Sequence, residues 1–324
     1  MPQFSIVIPT YNRRDYLLQS LASVLEQQEA DFEIVVSDNG STDGTQAAVA
    51  PYLHDPRVRY FRNDSNLGMV GNWRKAIFER ARFDWVVLMS DDDYFVDPTY
   101  LRDAARLIDE GAPKFVYAGG HVEDISTGTK QLMLPPFDGI TDGRAVFASR
   151  GTVKPQDLIL CNVVFNRRDA ARLGFLSNGN NLSSDSELCL KLALEGTVGI
   201  IRRPVCVYRV HAGNLTKRIA GSASLLRGNL EYLIHPYSYG KTLGVPSDVL
   251  ERYRSNALLD ATARHTLLRT GLHSREAHAE CRCFLKEQAP EILHAAESGW
   301  AYRVQRLVAL YGSSLLGPRY RVGP

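Results

Sequence analysis

Short apolar runs alternate with amphipathic stretches through the first two-thirds of the chain. Phe4–Ile8 is an apolar run closed by Pro9, and it predicts a first strand. Leu17, Leu21, Val24 and Leu25 then recur at helical spacing, with Asn12 as the expected cap and Asp15 in the first turn. Phe32–Val36 predicts a second strand, ending in the turn-rich Ser37–Gly44, and a helix opens near Thr45. Val58–Phe61, a helix through Trp73, Ile77 and Phe78, and the strand Asp84–Met89 follow. Behind Asp97-Pro98 a further helix carries Leu101, Ala105 and Ile108 on one side. Strands alternating with helices in this way predict βαβ units and a mostly parallel sheet.

Beyond residue 112 the pattern loosens. Phe115–Ala118, Asn162–Phe165, Val198–Ile201 and Val205–Tyr208 predict short strands. The Gly- and Pro-bearing segment 128–143 reads as a long loop over a cleft. Asn178–Asn181 reads as a turn before a helix that starts at Ser183–Glu187. From about residue 218 strand signals vanish, and Val249, Tyr253, Ala257, Leu258 and Ala261 mark helix. Trp300–Val308 mixes aromatic, basic and apolar residues, as a last core helix or an interfacial one would.

Composition changes this picture little. The chain has 324 residues, 44% hydrophobic and 23% charged, which suits a soluble globular protein with a full core. A net charge of +2 gives no electrostatic case for nucleic acid as a partner. No apolar run is long enough to span a membrane, and the start lacks the basic and apolar regions of a signal peptide. Five cysteines without a CxxC pair fit reduced thiols and a cytoplasmic location.

The chemistry concentrates at Asp91-Asp92-Asp93, directly after the fourth strand. Three carboxylates at the end of a buried strand repel one another, and a divalent cation removes that conflict. Oxygen ligands suit Mg²⁺ or Mn²⁺, which commonly bind one or two carboxylates together with substrate phosphates. Taken alone, the triplet is better read as a solvated acidic turn capping the helix near Pro98. Thr10–Asn12, Asp38-Asn39 and Asp91–Asp93 all follow strands, and in such sheets ligands bind at the carboxyl ends of the strands, so the three groups are expected to meet in one cleft.

Phe4–Asn12, then Glu33–Thr45, then Ser90–Asp93, in that order, resemble the family 2 glycosyltransferases of GT-A fold, with the likeness covering roughly residues 4–215. The resemblance implies an α/β, Rossmann-like, mostly parallel central sheet flanked by helices in residues 1–217, and a helical extension in 218–324 for acceptor, oligomer or membrane contact. It implies an inverting, metal-dependent enzyme moving one sugar from a nucleotide-sugar donor, a UDP-sugar being favoured, to a hydroxyl acceptor such as a glycan or lipid-linked saccharide. The setting would be polysaccharide, O-antigen or capsule-type assembly, on the cytoplasmic side and peripheral to the membrane through the last helix, with a homo-oligomer compatible.

Residue by residue, the resemblance places Pro9, Thr10, Tyr11 and Asn12 along the nucleotide, Asp38 on its base, and Asn66 close by. Asp91 and Asp92 fall on the ribose and diphosphate side, and Asp93 and His211 fall on the metal, as Mn²⁺ or Mg²⁺. Asp185 corresponds to the general base, although Ser184 stands where relatives often carry Glu, and Glu187 is the reserve. No Gln-x-x-Arg-Trp motif of processive synthases occurs, which implies single addition. A sugar nucleotidyltransferase would need a Gly-rich basic first loop, which Pro9–Asn12 is not. A degenerate carbohydrate-binding module is the other alternative.

Overall fold

A computed structural model describes residues 1–152, 160–177, 183–214, 223–264, 266–267 and 275–298. The expected turn at 178–181 and the Trp300–Val308 helix both fall wholly outside them. The chain divides into two compact units. The first contains Met1–Phe147 and Ser184–Asn214, with the described residues between 160 and 177. The second contains Ala148–Thr152 and the described residues beyond Leu215.

In the first unit, β1 (Gln3–Thr10), α1 (Arg14–Leu25), β2 (Asp31–Asp38), α2 (Thr45–Val49), β3 (Val58–Arg62), α3 (Gly68–Lys75) and β4 (Trp85–Leu88) follow the alternation expected. α3 runs on as a π-helical segment, Ala76–Arg80. These strands pair in parallel in the order β3-β2-β1-β4. β1 and β2 are buried from their second residue to their last, because the sheet is covered on both faces. Leu17, Leu21 and Val24 of α1 are fully enclosed, so the apolar stripe read from the sequence is the face that packs.

The parallel pattern stops at β4. Next come β5 (Tyr94–Phe95), α4 (Tyr100–Gly111), β6 (Phe115–Asp124), β7 (Thr129–Met133), β8 (Gly139–Asp142), α5 (Gly143–Ala148), β9 (Val163–Asn166), α6 (Arg167–Arg172), α7 (Ser184–Ala193) and β10 (Thr197–Val210). β9 lies antiparallel between β4 and β6, and β10 is parallel to β6. β7 folds back on β6 as a hairpin, and β8 pairs antiparallel with β10. The segment read as a long loop over 128–143 is therefore largely strand. Gly128 sits in the hairpin turn, Pro135 and Pro136 lie between strands, and Gly139 and Gly143 open β8 and α5; the alternation along Thr129–Met133 is masked because four of its five residues are exposed.

The two short strands expected after Gly196 are one strand of 14 residues, β10. Its register against β6 slips on either side of Pro204, which cannot donate to the ladder. Arg203, in the irregular stretch, pairs with Asp97 and Asp103 at 2.5 Å each. The slip carries the strand on to Arg209 and Val210, beyond the sheet's core.

The second unit is helical where described: α8 (Ala223–Thr242), α9 (Ser247–Tyr253) with a π-helical continuation Arg254–Arg264, α10 (Arg275–Gln288) and α11 (Pro290–Ser298). Val249, Tyr253, Ala257 and Leu258 are buried, as their spacing implied. No helix of the described residues is long and apolar enough to cross a membrane.

Gly143 opens α5 where two backbone carbonyls, Ala193 O and Gly196 O, crowd the position a Cβ would take. Its own N–H donates to Gly196 O at 3.0 Å. Gly143→Ala should lower stability by about 1–3 kcal/mol, as overpacking against unyielding backbone does. A thermal or urea midpoint unchanged from wild type would contradict this.

Candidate active site

The carboxyl ends of β1, β2 and β4 are tied together by side chains. Asn12 takes a left-handed backbone conformation, φ 52°, which asparagine tolerates better than most residues. That turns its N–H to Ser41 Oγ at 2.9 Å, and its Oδ1 accepts from Thr42 N at 2.8 Å. Asn12 thus does not cap α1. The cap to Arg14 N comes from Asp43 Oδ2 at 3.0 Å, a residue distant in sequence. Pro9 and Thr10 lie buried at the end of β1, and Tyr11 is exposed beside them.

Asp38 is wholly enclosed. Ser41 N donates to its Oδ1 at 2.8 Å, and the Tyr60 hydroxyl donates to its Oδ2. Burial and the Asp38 charge both push the Tyr60 phenol's pKa up, so it keeps its proton. Asp38 therefore anchors the loop that follows β2. The neighbouring Asn39 reaches Asn66: its Nδ2 donates to Asn66 Oδ1 at 2.8 Å and to Gly68 O at 3.2 Å, and its Oδ1 accepts from Leu67 N at 2.9 Å. Asn66 itself is exposed. The sequence placed Asn39 at the right strand end, but only the structure shows that it organises the Asn66 turn.

Asp91, Asp92 and Asp93 are all buried, at 5%, 4% and 1% exposure. They do not cap the following helix, since Asp97 Oδ1 accepts from Thr99 ahead of α4. Their charge is met from three directions. Arg13 Nη1 lies 3.1 Å from Asp91 Oδ1 and 2.5 Å from Asp92 Oδ2, while its Nη2 donates to Gly213 O at 2.6 Å. From the end of β10, Arg209 N donates to Asp93 Oδ1 at 2.9 Å, and Arg209 Nε donates to Asp92 O. Asn214 Nδ2 donates to Asp92 Oδ2 at 3.2 Å.

His211 completes the shell. Its Nδ1 accepts from Gly213 N at 3.1 Å, which leaves the proton on Nε2, 3.1 Å from Asp92 Oδ2. The ring stacks on Tyr16 with centroids 5.0 Å apart. In this arrangement both ring nitrogens are engaged, and His211 orients Asp92. Arg13, Arg209, Asn214 and Tyr16 were not picked out from sequence. An arginine carries no motif of its own there, and these side chains meet only through the fold.

Compensation is incomplete. Asp93 Oδ2 is buried with no hydrogen-bond partner. Burial, then the Asp92 charge, push the Asp93 carboxyl well above its usual range. The same causes push Asp91 up to about 6, against the opposing pull of Arg13. An orphaned buried carboxylate oxygen beside two further carboxylates and an imidazole suits a hard or borderline divalent cation. Among the described residues no group of three or more His, Cys, Asp or Glu stands ready-made as a metal cluster.

Asp185 lies in the first turn of α7, half-buried, with Glu187 buried two residues on. Glu187 pairs with Lys191 at 2.5 Å. Asp185 is not part of the Arg13–Asp92–His211 contacts.

A sheet of this topology with an acidic triplet at the end of its fourth strand defines a GT-A-type glycosyltransferase domain. The sequence profile "Glycosyl transferase family 2" matches residues 5–171, and the chain belongs to that family. The poly(ribitol-phosphate) β-N-acetylglucosaminyltransferase TarS of Staphylococcus aureus is 35% identical over 112 residues, 34% of this chain and 19% of TarS. The GalNAc(5)-diNAcBac-PP-undecaprenol β-1,3-glucosyltransferase of Campylobacter jejuni is 35% identical over 95 residues, 29% of this chain and 30% of that enzyme. The chain thus aligns with under a third of either relative's length. In three dimensions it is similar to TarS 1–349 in complex with UDP-GlcNAc, with TM-score 0.67 and 16% identity over 98% of this chain and 93% of that one. A Pyrobaculum calidifontis mannosyltransferase in complex with GDP-Man and Mn²⁺ follows, with TM-score 0.52 and 18% identity over 97% and 87%. At these identities the likeness is one of fold.

Because Asp91 resists ionisation when folded, the folded state binds a proton more tightly than the unfolded chain. Its contribution to the stability of the ligand-free protein is therefore greatest below about pH 4 and is lost as pH rises through about 6. Asp91→Asn should flatten that part of the pH–stability curve. It should also raise ligand-free stability at pH 7 by up to roughly 3 kcal/mol, the equivalent of the shift. Denaturant curves of both proteins from pH 4 to 7.5 test this; a variant less stable than wild type at pH 7 would refute it.

Proposed function

We propose that this glycosyltransferase moves one sugar, with inversion, from a nucleotide-sugar donor to a hydroxyl acceptor in polysaccharide, O-antigen or capsule-type assembly, and that a divalent cation is required. The observation that carries this reading is the buried, incompletely paired Asp91–Asp93 triplet at the strand ends of a family 2 fold. Asp93, with Asp91 beside it, would hold Mn²⁺ or Mg²⁺. His211 would join as a ligand through Nε2 in its other tautomer, with the proton moved to Nδ1 and the Gly213 N–H bond given up. When bound, the cation offsets the charge on the departing nucleoside diphosphate.

The chain's own groups do the rest. Pro9, Thr10, Tyr11 and Asn12 border the nucleotide, with Asp38 and Asn66 supporting the base side. As the acceptor oxygen bonds to the anomeric carbon, the bond to the diphosphate breaks and its electrons leave with the phosphate. Asp185 takes the acceptor's proton from the opposite face. Asp185 is favoured over Glu187 by its place in the family motif at the start of α7. Uridine is the favoured base, supported by the UDP-GlcNAc complex of TarS. A lipid-linked acceptor, supported by the undecaprenol-linked substrate of the Campylobacter relative, would suit a cytoplasmic enzyme peripheral to the membrane.

A thermal-shift comparison of nucleoside diphosphates with and without Mn²⁺ tests the donor site. One nucleotide at ~100 times its dissociation constant should stabilise wild type by about 2.7 kcal/mol, and Asp93→Ala should abolish the metal-dependent part. No shift with any nucleotide would sink the transferase reading in favour of a degenerate binding module. For the base, Asp185→Asn should lower turnover by roughly 10²–10⁴-fold at unchanged nucleotide affinity, while Glu187→Gln should cost far less. Equal losses in both would remove Asp185 from that role.

A further inference from the structure

Next to the acidic triplet, on the outer side of Arg13, lies an open cavity of about 580 Å³ lined by Asn12, Arg13, Arg14, Asp15, Tyr16, Gln19, Asp43 and Arg209. Three of these are guanidinium groups, and α1, a helix of 12 residues, begins in its wall. Arg13 supplies no side-chain cap to that helix, and the first-turn N–H groups have no intrahelical acceptor by the geometry of any helix start.

The independent observation is Arg209. It is 5% exposed, lines the cavity, and its Nη2 has no hydrogen-bond partner. Its Nη1 donates to Gln19, another wall residue. Its guanidinium is clamped between the rings of Tyr16 and Tyr94, 4.6 and 5.0 Å from their centroids. Among the described residues no carboxylate lies within ion-pair distance of it. The Asp92 and Asp93 groups it touches offer a backbone carbonyl and a bond to its own backbone N–H. The Asp93 charge is within electrostatic reach of it, yet its buried Nη2 has no acceptor, and an unsatisfied buried donor is costly.

We propose that this cavity is a phosphate subsite separate from the donor site, formed by Arg14, Arg209 and the start of α1. The phosphate would be either one carried by the acceptor or free phosphate. Two features oppose an anion, and both are local. Asp15 pairs with Arg14 at 2.8 Å, and Asp43 is spent on capping Arg14 N and Thr45. Arg14 is half-exposed, so a phosphate can draw its fork away from Asp15, a solvent-screened partner worth little. A guanidinium meets phosphate through two parallel N–H bonds, which a single carboxylate contact on the rim does not match. Gln19 turning aside would free Arg209 Nη1, beside the unpartnered Nη2, for the same ligand. Only the subsite's place beside the donor rests on the transferase reading; phosphate binding itself does not.

The test is a titration of inorganic phosphate into wild type, followed by thermal shift, first alone and then with UDP and Mn²⁺ held at saturation. The expected result is stabilisation by phosphate that persists when UDP is bound. Arg14→Gln should weaken phosphate about 5-fold with UDP affinity unaltered, and Asp15→Asn should tighten it, since Arg14 is then released. Glycerol 3-phosphate binding more tightly than inorganic phosphate, with glycerol inert, assigns the group to an acceptor; equal binding assigns it to the free ion. Phosphate displaced by UDP, or unaffected by both variants, overturns the subsite. UDP failing to bind wild type while phosphate still does would instead count against the donor reading alone.

Discussion

Everything at the catalytic end of this protein depends on the cost of burying three consecutive carboxylates. Asp91, Asp92 and Asp93 are each at most 5% exposed, and desolvation opposes their ionisation before any neighbour is considered. The fold meets that cost with groups from both ends of its first unit. Arg13 comes from the start of α1, and Arg209, His211 and Asn214 come from the end of β10. One residual oxygen, on Asp93, is left without a partner. Among the described residues the network stays open at two buried atoms, the Asp93 Oδ2 acceptor and the Arg209 Nη2 donor, so it is not a completed ion-pair cluster.

The same contacts explain why the strand ends form one surface. Arg13 holds Gly213 O as well as two carboxylates, so the segment after β10 is tied to the beginning of α1 across nearly 200 residues of sequence. Asp43 and Ser41 tie the second loop to the first, and Asn39 ties the Asn66 turn to the second. Apart from the bond to Gly213 O, each joins a loop to its neighbour in the strand order β3-β2-β1-β4. The parallel half of the sheet thus delivers its loops to a common edge, and side-chain amides and carboxylates hold them there.

The far half of the sheet follows different rules. Past α4 the connections include a hairpin and a strand inserted antiparallel between β4 and β6, and β10 changes register at Pro204. That slip lets a single long strand serve both the core, through Val205 and Val207, and the site, through Arg209. Arg209 then faces two ways. Its backbone and Nε serve the triplet, while the rest of its guanidinium, stacked between two tyrosines, borders the basic cavity beside it.

By itself the sequence determined the strands and helices of the first hundred residues, the family, and the edge where the acidic triplet would lie. Apolar periodicity and strand-end motifs are local, and local patterns survive without a structure. It also marked helix beyond residue 218 through the spacing of Val249, Tyr253, Ala257 and Leu258. It misread the segment 128–143, whose exposed strand shows no apolar alternation, and it split β10 at a proline that the sheet accommodates as a register slip. Only the tertiary structure decided that Asp38 is sealed by Ser41 and Tyr60, that Asn12 bridges loops and does not cap a helix, and that His211 grips Asp92. The physical reason is the same in each case. A polar side chain's role is set by which partner the fold brings within about 3 Å of it, and that distance is not written in its neighbours along the chain.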